Sequence, residues 1–217
     1  MEQNQSRLQG ENNIVIRVST MLTNLLVINL LTLVMCLPVI TIGASFTAMH
    51  DCLQQILRKE DGYIARRFFQ SFRSNFKQAT LLWLPFLLIF AGIIVDLIIM
   101  LTSPGLLPDY IMIPAGVAGL LALFVFQWLC PIMARFRGSS GLVLRMTFLL
   151  ATARFPRTVL MAATLVLPYF AVRSLLTLPL FLLFGISVPG MLGACLYRPV
   201  FRELEEEPEQ ENNTINV

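Results

Sequence analysis

The sequence predicts an all-α fold, a polytopic helical membrane protein with about five transmembrane helices and amphipathic helices on the cytoplasmic side. Its 217 residues are 56% hydrophobic and only 13% charged, whereas a soluble domain contains roughly 25% charged residues. Several apolar segments approach the roughly 20 residues with which a helix crosses a hydrocarbon core of about 30 Å. A lipid bilayer is therefore the expected environment of this chain.

The first predicted span comes from a charge-free stretch that is too long for one simple crossing and too short for two. No charged residue occurs from Ser19 to Met49, a stretch of 31 residues. Pro38 removes a backbone donor and clashes with the preceding turn, so we expect the first span to cover residues 19–40. Gly43 then gives the chain the freedom to turn.

Four further spans follow from the same reasoning. The segment from Thr158 to Tyr197 contains a single charge, Arg173, in 40 residues, which is long enough for two short spans; a single crossing would move the C-terminus to the other side. The predicted spans are 79–101, 111–133, 158–176 and 179–198, in one transmembrane domain (19–202) between an N-terminal tail (1–18) and an acidic, disordered tail (203–217).

The orientation follows from the lysine and arginine residues, because positively charged loops stay on the cytoplasmic side. Two connections are basic, between spans one and two and between spans three and four, and the other two hold only Arg173. We therefore expect both basic loops and the C-terminus to be cytoplasmic, and an odd number of spans then leaves the N-terminus outside. The basic residues are Arg58, Lys59, Arg66, Arg67, Arg73 and Lys77 in the first loop, and Arg135, Arg137, Arg145, Arg154 and Arg157 in the second.

Two cytoplasmic segments have amphipathic patterns. ASFTAMHDCLQQILRK, which follows Gly43, predicts an amphipathic helix in which Ala44 and Ala48 let another helix approach closely. The only histidine, His50, is expected on the polar surface, with a proton-relay role as the alternative.

The second segment, YIARRFFQSFRSNFKQ, places aromatic residues on one helical face and a cytoplasmic basic face, Arg66, Arg73 and Lys77, on another. This pattern predicts a helix in the inner headgroup region, and a docking surface for a protein partner is the alternative. Nucleic acid is not an expected partner, because the membrane explains the basic stripe.

Five polar residues in the predicted spans are candidate functional groups, since intramembrane polar side chains are costly. They are Asp96, Arg173, Asn24, Asn29 and Gln127. Asparagine and glutamine also serve as hydrogen-bonding links between helices. For Asp96 and Arg173 we consider an ion pair between spans two and four, against separate hydration of the two charges.

The sequence gives no reason to expect catalysis. It contains no GxSxG, HExxH or phosphate-binding glycine loop. We therefore expect no catalytic residues, no cofactor and no metal site, and a protein that is not an enzyme.

Several short motifs, in this order and spacing, resemble the YesL family (DUF624) of small bacterial integral membrane proteins. LPVITIGASFTAMH contains Pro38, the triplet Thr41 to Gly43, and the pair Thr47 and Ala48; EDGYIARRFFQSFRSNFKQATLL and ARFPRTVL follow. The resemblance covers about Asn24 to Phe201. It implies a multi-pass protein of the bacterial cytoplasmic membrane with no established activity, often encoded beside carbohydrate ABC importers.

Two functions are consistent with these features. The first is a non-enzymatic accessory protein that binds a carbohydrate ABC importer permease or another membrane protein. The alternative is a small stand-alone transporter or channel that uses the intramembrane polar residues. The substrate, the partner and the oligomeric state do not follow from the sequence.

Overall fold

The computed structural model describes residues 2–60, 62–103, 112–136, 138–166 and 178–215, and every described element is helical. Side chains are described from residue 16 to residue 205, apart from gaps at 61, 104–112, 137, 167–178 and 180. The α-helices are α1 (Glu2–Met35), α2 (Ile42–Arg58), α3 (Ile64–Thr102), α4 (Met112–Arg135), α5 (Ser140–Ala153), α6 (Phe155–Thr164), α7 (Leu178–Phe184) and α8 (Ser187–Ile215).

The break after the first span is a short 3-10 turn, Val39–Thr41, between α1 and α2. α1 ends at Met35, five residues before the predicted end of the span, because a proline disfavours helical geometry in the residue before it. The Thr41 hydroxyl lies 2.5 Å from the Met35 carbonyl oxygen and 2.7 Å from that of Pro38, so its one proton is shared between acceptors at both ends of the turn. α1 also extends back to Glu2, into the region that we assigned to a tail.

Helix α2 is the centre of the bundle, and the prediction of a surface helix is wrong. Most of its residues from Gly43 to Gln55 are buried, and it packs against α1, α3, α4 and α8. The predicted role of Ala44 and Ala48 in close helix packing is consistent with their complete burial. Amphipathic periodicity identifies the apolar face of a helix, but it does not show whether other helices also cover the polar face.

Helix α3 joins the predicted headgroup helix and the second predicted span in one continuous helix. The prediction of a separate surface helix is wrong because no helix breaker lies between Ile64 and Ala79, and because Phe68 is fully buried in the core instead of entering lipid. Arg66, Arg73 and Lys77 are exposed, as predicted for a basic face.

Four described helical segments are long and apolar enough to cross a membrane, so five spans are not confirmed. The predicted fourth span, 158–176, is described only as far as residue 166, and α6 ends at Thr164. The remainder of that span lies outside the described residues. The four segments are Ile16–Met35, Ile64–Thr102, Ile113–Arg135 and Phe181–Glu205.

The C-terminal helix continues to Ile215, where the sequence predicts a disordered tail. Its acidic residues are not all free in solvent, because Glu203 forms an ion pair with Arg154 and Glu205 forms one with Arg135. Glutamate also has a high helix propensity, so a tail that is attached at its first turn continues as helix. These ion pairs bring the end of α4, the α5–α6 junction and α8 to one end of the bundle.

Candidate functional site

Helix α2 carries a row of polar side chains that bind three different helices. His50 is 8% exposed, and its Nδ1 lies 3.1 Å from the hydroxyl of Tyr197 on α8, which is fully buried. Burial lowers the pKa of the His50 imidazole to about 3. The imidazole is therefore neutral at physiological pH, and the prediction of a surface histidine is wrong.

Asp51 binds α3. Its two carboxylate oxygens accept hydrogen bonds from Nε and from a terminal nitrogen of Arg67, at 2.8 Å and 2.9 Å. The side chain of Asp51 is 7% exposed and that of Arg67 is 38% exposed. This bidentate geometry is the strong form of an arginine–carboxylate pair, and it links the two helices with the most extensive contact.

Gln54 completes the row. Its side-chain nitrogen donates to the backbone carbonyl of Pro131 on α4 at 3.2 Å. In a regular helix the Pro131 carbonyl also accepts a hydrogen bond from the backbone N–H of residue 135. The Gln54 side chain therefore gives this carbonyl a second hydrogen bond. Histidine, aspartate and glutamine at positions 50, 51 and 54 thus tie α2 to α8, α3 and α4 in turn.

An apolar cavity of about 340 Å³ lies on one side of this row. Its walls include Met49 and His50 from α2, Phe126 and Gln127 from α4, and Gly190 from α8. Both polar atoms of the Gln127 amide are buried and form no hydrogen bond within the described residues. A hydrogen-bonding amide in a mainly apolar cavity is an arrangement typical of small-molecule sites.

A second cavity of about 270 Å³, here called the basic cavity, is bordered by Gln54 of the same row. It is lined by Gln54, Leu57, Arg58, Arg135, Tyr197, Arg198, Phe201, Arg202 and Glu205. Tyr197 borders this cavity, whereas His50 borders the apolar cavity. The His50–Tyr197 hydrogen bond therefore joins a residue that lines one cavity to a residue that lines the other.

Among the polar residues predicted in the spans, Asn29 has a structural role. It is fully buried on α1, and its amide nitrogen donates to the Leu182 carbonyl at 2.8 Å. Its oxygen accepts from the backbone nitrogens of Ile186 and Ser187, both at 2.9 Å. Asn29 thus satisfies two free donors at the start of α8, which agrees with the alternative of a link between helices.

The other predicted residues are not brought together. Asp96 is half-buried near the C-terminal end of α3, Asn24 is half-buried on α1, and Gln127 lies in the apolar cavity. Arg173 lies outside the described residues, so the proposed pair with Asp96 stays a prediction.

The glycine and threonine of the break motif serve helix packing. A Cβ on Gly43 would lie 2.7 Å from the Trp83 Cβ and 2.8 Å from the Ala79 carbonyl oxygen. Gly43 is therefore needed for close contact between α2 and α3, and the turn itself occurs before it. Thr47 is fully buried, and its hydroxyl donates to the Gly43 carbonyl at 2.8 Å.

The sequence reasoning missed the basic cavity. Arg198 and Arg202 are four residues apart, on the same face of a helix as Glu205. That spacing could have indicated a charged face on α8. The residues of α2 and α4 that complete the cavity come close to this face only through the tertiary fold. The described residues hold no group of three or more potential metal ligands.

The continuous apolar helices and the packed helical core define a polytopic helical membrane protein. Residues 22–97 match the family model described as "Protein of unknown function, DUF624". This match covers about a third of the chain and supports the predicted resemblance to DUF624; the narrower name YesL stays a resemblance. Neither the curated proteins nor the solved structures contain a match.

Proposed function

We propose that the protein is a non-enzymatic accessory subunit that binds the permease of a carbohydrate ABC uptake system in a bacterial cytoplasmic membrane. The resemblance to the YesL family suggests the kind of partner. The structural observation that carries the proposal is the uncovered outer half of the hairpin formed by α3 and α4.

The outer half of this hairpin has large apolar side chains that the other described helices do not cover. Leu88, Leu101 and Ile113 are 67%, 75% and 71% exposed. Within the hairpin the two helices do touch, since a Cβ on Gly119 would meet the Ile93 side chain at 2.6 Å. The outward face is therefore available for lipid or for the helices of another membrane protein.

Small residues make this face suitable for a helix partner. A Cβ added to Gly92 or Gly116 meets no atom of the described residues within 4 Å, so within that part of the chain both glycines lie on the open surface of the hairpin. Helix association in membranes relies on close packing at small residues, because lipid tails are as apolar as leucine. Glycines that make no close helix contact among the described residues are consistent with close contact to a helix of a partner protein.

A stand-alone transporter is the second candidate, and the apolar cavity favours it. The buried Gln127 amide offers a donor and an acceptor to a polar group of a substrate. The cavity is nevertheless lined mainly by apolar side chains, whereas a sugar needs many hydrogen-bonding partners. The accessory role therefore has the stronger support.

The test is co-purification with the permease of a carbohydrate importer from cells, in mild detergent. Gly92→Phe should reduce the amount of permease recovered, because it adds a ring to the outer hairpin surface. Gly141→Phe on α5 is the matched control, since a Cβ there also meets nothing within 4 Å. Equal recovery with both variants would contradict the proposal. Sugar flux into liposomes that contain only this protein would favour the transporter.

A further inference from the structure

The basic cavity combines arginine side chains from three helices. Arg58 comes from the end of α2, Arg135 from the end of α4, and Arg198 and Arg202 from α8. The fold brings these four side chains to one partly open cavity, although Arg58, Arg198 and Arg202 are themselves exposed. Like charges at close range repel each other, so this convergence favours the binding of an anion.

The carboxylates in and beside the cavity balance only part of this charge. Glu205 lines the cavity and binds Arg135, and Glu60 binds Arg58 at 2.9 Å. Among the described side chains, four arginines and two glutamates leave a formal surplus of two positive charges. A planar guanidinium offers paired donors that match the oxygens of carboxylate or phosphate groups. A group with about two negative charges would neutralise the surplus.

Glu205 shows how an oxyanion binds in this space. Its Oε1 accepts a hydrogen bond from Nε of Arg135 at 2.5 Å, while its side chain is still 39% exposed. The carboxylate thus lies in the cavity without being enclosed by it. A stronger anion has room to replace it, and Glu205 would then turn toward solvent.

We propose that the basic cavity binds a phosphate group in competition with the carboxylate of Glu205. A volume of about 270 Å³ holds a phosphate together with a small attached group. Leu57 and Phe201 form an apolar wall for that attached group. The phosphate belongs either to a soluble phosphorylated compound or to an anionic lipid headgroup, which present the same chemistry to the arginines. This binding does not depend on the proposed accessory function.

The first experiment titrates inorganic phosphate into the purified full-length protein in neutral detergent, with isothermal calorimetry as the readout. Wild type should bind phosphate saturably, and Arg202→Gln should weaken binding about tenfold, because it removes a charged donor. Glu205→Gln should strengthen binding several-fold, because the competing carboxylate is gone. Arg66→Gln, at an exposed arginine that does not line the cavity, should bind as wild type does.

The second experiment identifies the source of the phosphate. Native mass spectrometry measures the phosphatidylglycerol retained by wild type and by the same variants after delipidation. Loss of retained lipid in Arg202→Gln assigns the cavity to a headgroup, whereas loss of phosphate binding alone assigns it to a soluble compound. If neither phosphate binding nor lipid retention differs between wild type, Arg202→Gln and Glu205→Gln, the proposal is overturned.

Discussion

The Nδ1 atom of His50 and the hydroxyl of Tyr197 lie 3.1 Å apart in the interior, although 147 positions separate the two residues in the chain. Since burial keeps the imidazole neutral, one ring nitrogen carries a proton and the other is an acceptor, and the tautomer sets which partner donates in the bond to Tyr197. This bond joins the central helix α2 to the C-terminal helix α8. It also predicts how the protein responds to mutation and to pH.

Tyr197→Phe should destabilise the protein, because it leaves the buried His50 nitrogen without its partner. A buried polar atom that loses its hydrogen bond costs about 1–3 kcal/mol. Thermal unfolding in detergent measures the effect. Tyr63→Phe is the control, since Tyr63 is 87% exposed, and it should change stability by less than about 0.5 kcal/mol. Equal melting temperatures for the two variants would contradict a stabilising hydrogen bond.

Stability should fall as the pH drops below the ordinary pKa of histidine. Burial lowers the pKa of His50 from 6.5 to about 3, so between these values the unfolded chain binds a proton that the folded chain does not. The loss reaches about 1.4 kcal/mol per pH unit below 6.5. Stability is therefore retained above pH 6.5 and lost progressively toward lower pH.

The comparison uses melting temperatures at about pH 7.5 and about pH 5.5, a range in which ordinary carboxylates remain ionised. Wild type should lose more stability over this interval than His50→Gln, which cannot gain a proton. A pH response that is identical in the two proteins would show that His50 is accessible to protons in the folded state.

Two adjacent arginines should differ sharply in their effect on stability. Arg67→Gln removes the bidentate partner of Asp51, whose side chain is only 7% exposed. Breaking a fully buried pair costs about 3–5 kcal/mol, and the partial exposure of Arg67 reduces this to about 1–3 kcal/mol. Arg66→Gln removes the same charge at an exposed site. A loss of similar size in both variants would indicate a general charge effect instead of a specific pair.

The sequence predicts the helical class and the membrane environment because both follow from composition and from the length of apolar segments. The position of Pro38 likewise predicts the break between α1 and α2. The burial of His50 and Asp51 was not predictable in this way, because their partners Tyr197 and Arg67 come from other helices. Polar residues on an amphipathic helix have the same pattern whether they face water or matching polar groups in the interior.

Gly43→Ala should destabilise the contact between α2 and α3. The added carbon would lie 2.7 Å from the Trp83 Cβ and 2.8 Å from a backbone oxygen, so the two helices must move apart. Overpacking of this kind costs about 1–3 kcal/mol. Gly141→Ala adds the same carbon to a helix with open space around it, where alanine is favoured over glycine by up to about 1 kcal/mol. A stabilising effect of Gly43→Ala would show that the helices are not in close contact there.

The predicted orientation calls for labelling sites that are exposed in the fold. Ser71 is unsuitable, because its 5% exposure would block a thiol reagent on either side of the membrane. Ser74 and Ser139 are exposed near the basic end of the bundle, and Ser103 is exposed at the opposite end of α3. In a chain without its native cysteines, an impermeant reagent applied to intact cells should label Ser103→Cys only. All three variants should react after the cells are opened, since the membrane alone protects the two basic-end sites. Labelling of Ser74→Cys in intact cells would reverse the orientation, and it would place the arginines of the basic cavity outside, against the tendency of positive charges to remain inside.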